Sequence, residues 1–375
     1  MKLNRSATIW LILAFLCPLA GRGAGYFVEA GDILAANFNG DSVLKISVQF
    51  GAQENLGAFT RPMDLALSPS GDLYVCELSG SIKRLTLTNG VTTRINPATT
   101  LTAARGIVFG PSGDLFVTGS GDRVLRVNPV TGAETNVTEG GQLTTPVGID
   151  FVDSTHLAVV SLLNSPIVIV DITTGGQTVL PGAETVDFAW GVAARGSNIF
   201  FTRFDQRLLY RLTDGVLSIV RATAGFPYGL GLEPDGTLVA GSNGPDVIQR
   251  ISPQGVLLST FSGGQIRQVT GIEVAPSRIG TPPPNVAPVL NPIGTRTVDE
   301  GTPLAFQVTA TDANLPFDAL TFSLAPGAPP GVALSPSGDF YWSTTETDGP
   351  GTNQITVIVT DHGIPSLSNT QMFTV

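Results

Sequence analysis

From Gly31 to Val274 the chain runs in short apolar stretches separated by glycine-, proline- and serine-rich turns, and the stretches recur with a fixed spacing. One series pairs a turn with a strand: Gly31-Asp-Ile-Leu-Ala-Ala, Gly71-Asp-Leu-Tyr-Val-Cys, Gly113-Asp-Leu-Phe-Val-Thr, Ser154-Thr-His-Leu-Ala-Val, Gly196-Ser-Asn-Ile-Phe-Phe and Gly236-Thr-Leu-Val-Ala-Gly. A second series marks the preceding strand, starting at Asp64, Gly106, Gly148, Gly191, Gly229 and Gly271, with spacings of 42, 42, 43, 38 and 42 residues. Runs this short, β-branched and bounded by turn residues are strands rather than helices. A period near 40 with about four strands per unit is the pattern of a propeller blade. The two series are out of phase at the ends. The strand at Gly31 has no first-series partner before it, and the strand at Gly271 has no second-series partner after it. Pairing the two gives six blades and removes two exposed sheet edges.

Beyond Pro276 the pattern changes. Gly280-Thr-Pro-Pro-Pro-Asn-Val-Ala-Pro reads as an extended spacer over 280–288. After it Leu304-Ala-Phe-Gln-Val-Thr, Ala319-Leu-Thr-Phe-Ser-Leu and Gln354-Ile-Thr-Val-Ile-Val-Thr alternate with period two, which predicts a small antiparallel sandwich over 289–375. The fold class is therefore all-β, with a propeller over 26–279 and a sandwich behind it. At the other end Lys2 and Arg5 precede the apolar run Ala7–Cys17 and a small-residue stretch to Gly25. That three-part layout predicts a signal peptide over 1–25 and a secreted, extracellular, cell-surface or periplasmic protein. The run is too short to span a bilayer as a helix.

At these strands the chain resembles the NHL-repeat and gluconolactonase-like six-bladed propellers. Arg61-Pro-Met-Asp-Leu-Ala-Leu-Ser-Pro-Ser-Gly-Asp-Leu-Tyr-Val, Gly106-Ile-Val-Phe-Gly-Pro-Ser-Gly-Asp-Leu-Phe-Val and Gly229-Leu-Gly-Leu-Glu-Pro-Asp-Gly-Thr-Leu-Val carry the likeness. It implies the fold, and it leaves open lactonases, lyases and pure binding rings. The tail resembles bacterial cadherin-like or Ig-like modules through Val298-Asp-Glu-Gly-Thr, Ala310-Thr-Asp-Ala-Asn and Val359-Thr-Asp-His-Gly-Ile-Pro-Ser-Leu-Ser. That resemblance places Glu300, Asp312, Asn314 and Asp361 on calcium-binding positions, making Ca2+ the one cofactor implied. The alternative is that they are turn and capping residues.

Charge narrows the partners. The chain carries a net −10, with Lys2, Lys45 and Lys83 as its lysines. No basic patch is available to neutralise phosphates, which argues against nucleic acid. A monomer is expected. Of two cysteines, Cys76 remains after leader removal, inside Leu73-Tyr-Val-Cys, and reads as a buried structural thiol.

Propeller function gathers at the mouth of the central channel. The residues before each inner strand's glycine (or Asp64) are Met63, Arg105, Val147, Trp190, Tyr228 and Thr270, and the positions just after the second strands include Asn37, Glu77, Ser161, Arg203 and Ser242. Met63, Glu77, Arg105, Trp190, Arg203 and Tyr228 are the candidate ligand site, an aromatic and charged rim suited to a protein, peptide or glycan. Alternatively these groups fill the taper of the ring, with Arg105 or Arg203 paired to Glu77. An enzyme of the gluconolactonase type would use a metal held by acids from several blades. Its candidates are Asn37, Asp64, Glu77, Asp150 and Glu273, of which Asp64, Asp150 and Glu273 lie within strands whose alternate residues point away from the channel. His156 and His362 fall in different domains and form no pair. The reading expected from the sequence is a binding or scaffold protein, with a metal-dependent lactonase, hydrolase or lyase as the alternative.

Overall fold

The computed structural model describes residues 25–97, 99–163, 166–184, 186–277, 279, 285–312, 320–362 and 366–375. The proposed leader, most of the proline-rich spacer and Asn314 lie outside them. Among the described residues there is no α-helix, and one 3-10 turn occupies Phe38–Gly40.

Six four-stranded antiparallel sheets form a propeller-like arrangement over Ile33–Val274. Sheets 2 to 6 begin with the inner strands Pro62–Leu67, Ala104–Phe109, Pro146–Phe151, Ala189–Arg195 and Phe226–Leu232, each followed outward by its three successors in sequence. Sheet 1 is composite. Its inner strand Val269–Val274 pairs with Ile33–Asn37, with Ile33 opposite Val274 and Ala35 opposite Ile272. Each inner strand packs against the next, and Val269–Val274 packs against Pro62–Leu67.

Burial falls off outward. The second strands Ile33–Asn37, Leu73–Glu77 and Leu115–Gly119 are wholly buried, whereas the outermost strand Val91–Arg94 is wholly exposed. A strand covered on both faces reads as a continuous apolar run, and one at the rim does not. Cores form between sheets: Met63, Tyr74, Cys76, Leu101, Ile107, Leu115 and Leu125 join sheets 2 and 3 in one cluster. Cys76 is a free, buried thiol.

Two kinds of glycine hold this geometry. Gly113 turns at φ +83 and a Cβ there would meet nothing, so the backbone conformation is what demands glycine. Gly148 has no such φ; a Cβ there would lie 2.2 Å from the Trp190 carbonyl of the next inner strand. Gly106, Gly191, Gly229 and Gly271 occupy the matching places, and added carbons would meet neighbouring backbone or the Asp64 carboxylate. These glycines let the inner strands approach closely.

In the C-terminal unit Asp339–Ser343 pairs with Pro303–Gln307 on one side and Val332–Leu334 on the other, and this sheet packs on Leu320–Leu324, Gln354–Asp361 and Ser368–Thr374. Its core is Phe322, Phe340, Trp342, Ile355, Val357, Val359 and Phe373. Trp342 donates its indole N–H to the Pro330 carbonyl at 3.1 Å.

Candidate functional site

Every inner strand slips register against its second strand near its start: between Pro62 and Asp64, Ala104 and Ile107, Pro146 and Ile149, Ala189 and Val192, Pro227 and Leu230, and opposite Ala36 and Asn37 for Val269–Val274. A bulge frees a residue from the ladder and re-aims its side chain. The six positions predicted at the mouth are the residues these bulges release. Hydroxyls on the second strands tie two of them down. Thr118 Oγ1 accepts from Gly106 N at 2.8 Å and donates to Val147 O at 2.6 Å, while Thr202 Oγ1 accepts from Gly191 N and donates to Tyr228 O.

The six do not share one fate. Met63, Val147 and Thr270 are buried, Met63 within the core of sheets 2 and 3 and Thr270 donating to the Pro62 carbonyl. Arg105, Trp190 and Tyr228 stay half-buried at the opening. Trp190 leaves sheet 5 yet packs against the cluster that holds Met63 and Leu101, so the indole crosses the mouth. Beneath it a cavity of about 20 Å³ is lined by Asp64, Arg105, Val147, Trp190 and Thr270, room for about one water. An aromatic layer surrounds the indole there. Trp190 meets Tyr228 edge-on at 4.8 Å, and Phe204 stacks on Tyr228 at 5.7 Å and meets Phe188 edge-on at 5.5 Å. Phe188 is 38% exposed and held at φ +55, a conformation rare for a bulky residue.

The charged candidates separate. Glu77 is buried; it accepts from Thr60 N and pairs with Lys83 at 2.6 Å, bracing sheet 2. Arg203 pairs with Asp205 at 3.0 Å. The pairing of Arg105 or Arg203 with Glu77, one of the two readings of the sequence, is absent among the described contacts. Arg105 makes no hydrogen bond or ion pair among the described residues; burial lowers its pKa, and Asp122 opposes that.

Asp64 also lines a second, larger space. A chamber of about 270 Å³ extends from Asp64 toward the ends of the inner strands, walled by Leu65, Ile107, Ile149, Val192, Leu230 and Ile272, with Asp150 and Glu273 facing it. The expectation that Asp64, Asp150 and Glu273 point away from the channel fails. Asp150 and Glu273 stand two residues after Gly148 and Gly271, and so share the side of the strand on which the glycines face the axis. Asp64 occupies the glycine position itself and forms the waist between the two spaces. Its Oδ2 accepts from Ile107 N of the next sheet at 3.1 Å, and Asp150 Oδ2 accepts from Ala194 N at 2.7 Å. Burial raises Asp64 to about 7 and Asp150 to about 6. Burial first, then the charges of Asp150 and Asp64, raises Glu273 to about 8. The described residues nonetheless contain no group of three His, Cys, Asp or Glu placed to hold a metal ion.

Of the residues assigned to calcium, Glu300 and Asp361 stand apart. Glu300 lines a pocket with Asn353 and Val375, beside the start of Gln354–Asp361, whereas Asp361 ends that strand. Seven residue steps of about 3.3 Å separate the two ends. Asp361 is fully buried and accepts from Asn285 Nδ2 at 2.9 Å and Leu367 N at 2.8 Å, a bracing role. Asp312 follows Ala310–Thr311, whose partner is Val289–Leu290. Asn314 lies outside the described residues.

What sequence reasoning missed was Phe188 and Phe204. Both sit in loops, where no periodicity flags an aromatic side chain. Their signal was local composition: Phe188, Trp190, Phe201 and Phe204 fall within one short stretch.

Comparison with known proteins bears on the fold. Residues 287–375 match the family model of the Putative Ig domain. No curated protein matches the sequence. The chain is similar to a solved structure of a nidogen/laminin complex, with TM-score 0.57, 16% identity, and coverage of 65% of this chain and 98% of that one. It is similar to Kuenenia stuttgartiensis hydrazine synthase, with TM-score 0.51, 15% identity, and 71% and 93% covered. It is also similar to a catalytically inactive virginiamycin B lyase from Staphylococcus aureus with quinupristin, with TM-score 0.50, 16% identity, and 69% and 95% covered. At these identities the likeness concerns a propeller fold. No helix among the described residues is long and apolar enough to cross a membrane.

Proposed function

We propose that the chain is an exported, non-catalytic binding protein. Its six sheets close as a six-bladed ring through the pairing of Val269–Val274 with Ile33–Asn37, and its Ig-like unit serves as a spacer or adhesion module. The ring presents the face around Arg105, Trp190 and Tyr228 to a protein, peptide or glycan. The observation carrying this reading is the layer of Phe188, Trp190, Phe204 and Tyr228 beside an unpaired Arg105. Rigid aromatic faces supply contact area at low entropic cost, and an unpaired guanidinium selects a carboxylate or carbonyl.

Trp190 and Trp342 are the tryptophans outside the leader, and Trp342 is 1% exposed, so ligand-induced change in fluorescence reports on Trp190. Glycan and peptide arrays probed with the chain, Phe188→Ala and Arg105→Ala, followed by fluorescence titration of any hit, test the proposal. The expected result is one ligand class bound by the chain, weakened tenfold or more in both variants, and recovered unchanged after incubation. Equal binding by the variants, or conversion of the ligand, overturns it.

A further inference from the structure

Each four-stranded sheet ends in an outermost strand whose far edge no described strand covers. A bare edge exposes a row of backbone donors and acceptors, and chains blunt it with charge, shortness or bulges. Four of the six edges follow that rule. Gln53–Ala58 carries Glu54, Glu134–Glu139 has an acid at each end, Val91–Arg94 ends in a cation, and Gln177–Val179 is three residues long. The edge of sheet 5 departs from it. Val216–Ala222 reads Val-Leu-Ser-Ile-Val-Arg-Ala, with Val216 67%, Leu217 42% and Ile219 59% exposed. The adjoining edge of sheet 6 extends this apolar surface through Val256, Leu257 and Leu258, and Arg221 ties the two edges together by donating to the Gly255 carbonyl at 3.0 Å. Within sheet 5 this rim lies three strands outward from Trp190, apart from the aromatic face.

The hairpin fixes which backbone groups face outward. Asp214 at φ +49 and Gly215 at φ +78 make a two-residue turn closed by the pair Thr213 and Val216, with Arg211 opposite Ser218 and Tyr210 opposite Ile219. Alternate residues of an antiparallel strand bond to the same neighbour, so Val216 and Ser218 turn their amides and carbonyls inward, and Leu217 and Ile219 turn theirs out. A second strand of this same sequence, antiparallel and with Ser218 opposite Ser218, sets Leu217 opposite Ile219 twice. The outward groups of each copy then meet those of the other, and Val216 falls opposite Val220. The ends agree in charge. Asp214 and Arg221 form no ion pair among the described residues, and this register brings Asp214 of each copy beside Arg221 of the other. A parallel pairing would set like charges together. We propose that Val216–Ala222 is the seam of a twofold dimer, its occupant a second copy of this chain, in place of the monomer expected from the sequence. Such a contact is self-complementary and closes at two copies.

Sedimentation equilibrium of the full chain between about 1 and 200 µM is expected to reach twice the chain mass. Ile219→Lys puts a charge into the seam and should weaken association at least tenfold with the far-ultraviolet spectrum unchanged, whereas Val91→Lys, on the 53% exposed position of the sheet 2 edge, should leave it intact. Asp214→Arg should weaken it as well, and adding Arg221→Glu should recover it. Cross-linking reads the register. Under copper–phenanthroline oxidation Ser218→Cys meets its own copy across the twofold and should give a disulfide-linked pair, while Leu217→Cys, which faces Ile219, should not. The native thiol of Cys76 is buried and gives no background. A monomer at 200 µM, association unaffected by Ile219→Lys, or cross-linking through Leu217→Cys instead of Ser218→Cys overturns the proposal. Assemblies that grow beyond two copies mean that the edge of sheet 5 meets the edge of sheet 6, and overturn it too. Ile219→Lys leaves the face around Trp190 untouched, so failure of ligand binding at the mouth and failure of the dimer are distinguishable.

Discussion

The chamber acids make the stability of the propeller-like unit depend on pH in a direction opposite to that of most carboxylates. Glu273 moves from an unfolded value of 4.5 to about 8 in the folded chain. Between those values the native state holds a proton that the unfolded chain has released, so stability falls as pH rises. The contribution is fully present below about 4.5 and is lost as pH passes through about 8. One pKa unit is worth about 1.4 kcal/mol, so the full displacement corresponds to roughly 5 kcal/mol. Part of it is repulsion shared with Asp150 and Asp64, and the chamber admits water, which together bring the expected effect of one group to about 2–3 kcal/mol. Gln in place of Glu273 keeps the shape of the protonated side chain and cannot ionise. Melting followed at pH 5, 7 and 9 should show the chain losing stability toward pH 9, with Glu273→Gln nearly equal at pH 5. At pH 9 the variant should melt higher by roughly 5–10 °C, since 1 kcal/mol is worth about 2–4 °C in a domain near this size. The exposed Asp153, which backbone and side-chain hydrogen bonds from Thr155 and His156 hold at about 2, titrates well below this window and does not interfere. Equal melting of both proteins at pH 9 would refute the reasoning.

Three further outcomes follow from packing. Thr118→Val strands the Gly106 amide and the Val147 carbonyl and should cost about 2–4 kcal/mol by denaturant titration, with Thr118→Ser recovering most of it. Gly148→Ala drives a carbon to 2.2 Å from a backbone oxygen, which no rotamer relieves; a loss of about 3 kcal/mol or more, or failure to accumulate as folded protein, is expected, whereas Gly90→Ala, strained only by a φ of +68 in a turn, should cost about 1 kcal/mol. Asp361→Ala removes the acceptor for Asn285 and Leu367 and should lower the melting of the Ig-like unit by the same amount with and without millimolar calcium.

The repeat was legible because each blade satisfies the same constraints. A second strand covered on both faces must be buried throughout, as Leu115–Gly119 is, with the hydroxyl of Thr118 satisfied by backbone partners, and a tight turn before it demands the positive φ of Gly113. The mouth positions were legible in number but not in orientation. Aligning residues ahead of each inner strand finds the bulges, yet whether a released side chain turns inward depends on its neighbours. Met63 finds an apolar core between sheets 2 and 3 and is drawn into it, whereas Arg105 has a charge to keep near water. The chamber acids were misplaced by counting alternation from the wrong origin. The glycine column faces the axis, a fact that the close approach of Gly148 to Trp190 reveals and that no single strand displays.

Asp64 is the one non-glycine residue in that column, and its role can be isolated. Five inner strands carry Gly106, Gly148, Gly191, Gly229 and Gly271 where sheet 2 carries Asp64, so Asp64→Gly is sterically innocent. Room for the carboxylate comes from Gly271, at which an added carbon would lie 2.3 Å from Asp64 Oδ1. Deleting the side chain joins the small cavity beneath Trp190 to the chamber and leaves the Ile107 amide facing that space. Hydrogen exchange reads this directly. A hydrogen bond to a charged acceptor contributes roughly 1.5–3 kcal/mol, so the Ile107 amide should exchange at least tenfold faster in Asp64→Gly while the Ile149 amide in the next inner strand is unchanged. Asp64→Asn keeps an acceptor oxygen and should retain most of the protection. Unaltered exchange at Ile107 in Asp64→Gly would mean that the waist is closed by backbone packing alone and that the carboxylate contributes nothing to holding the two inner strands together.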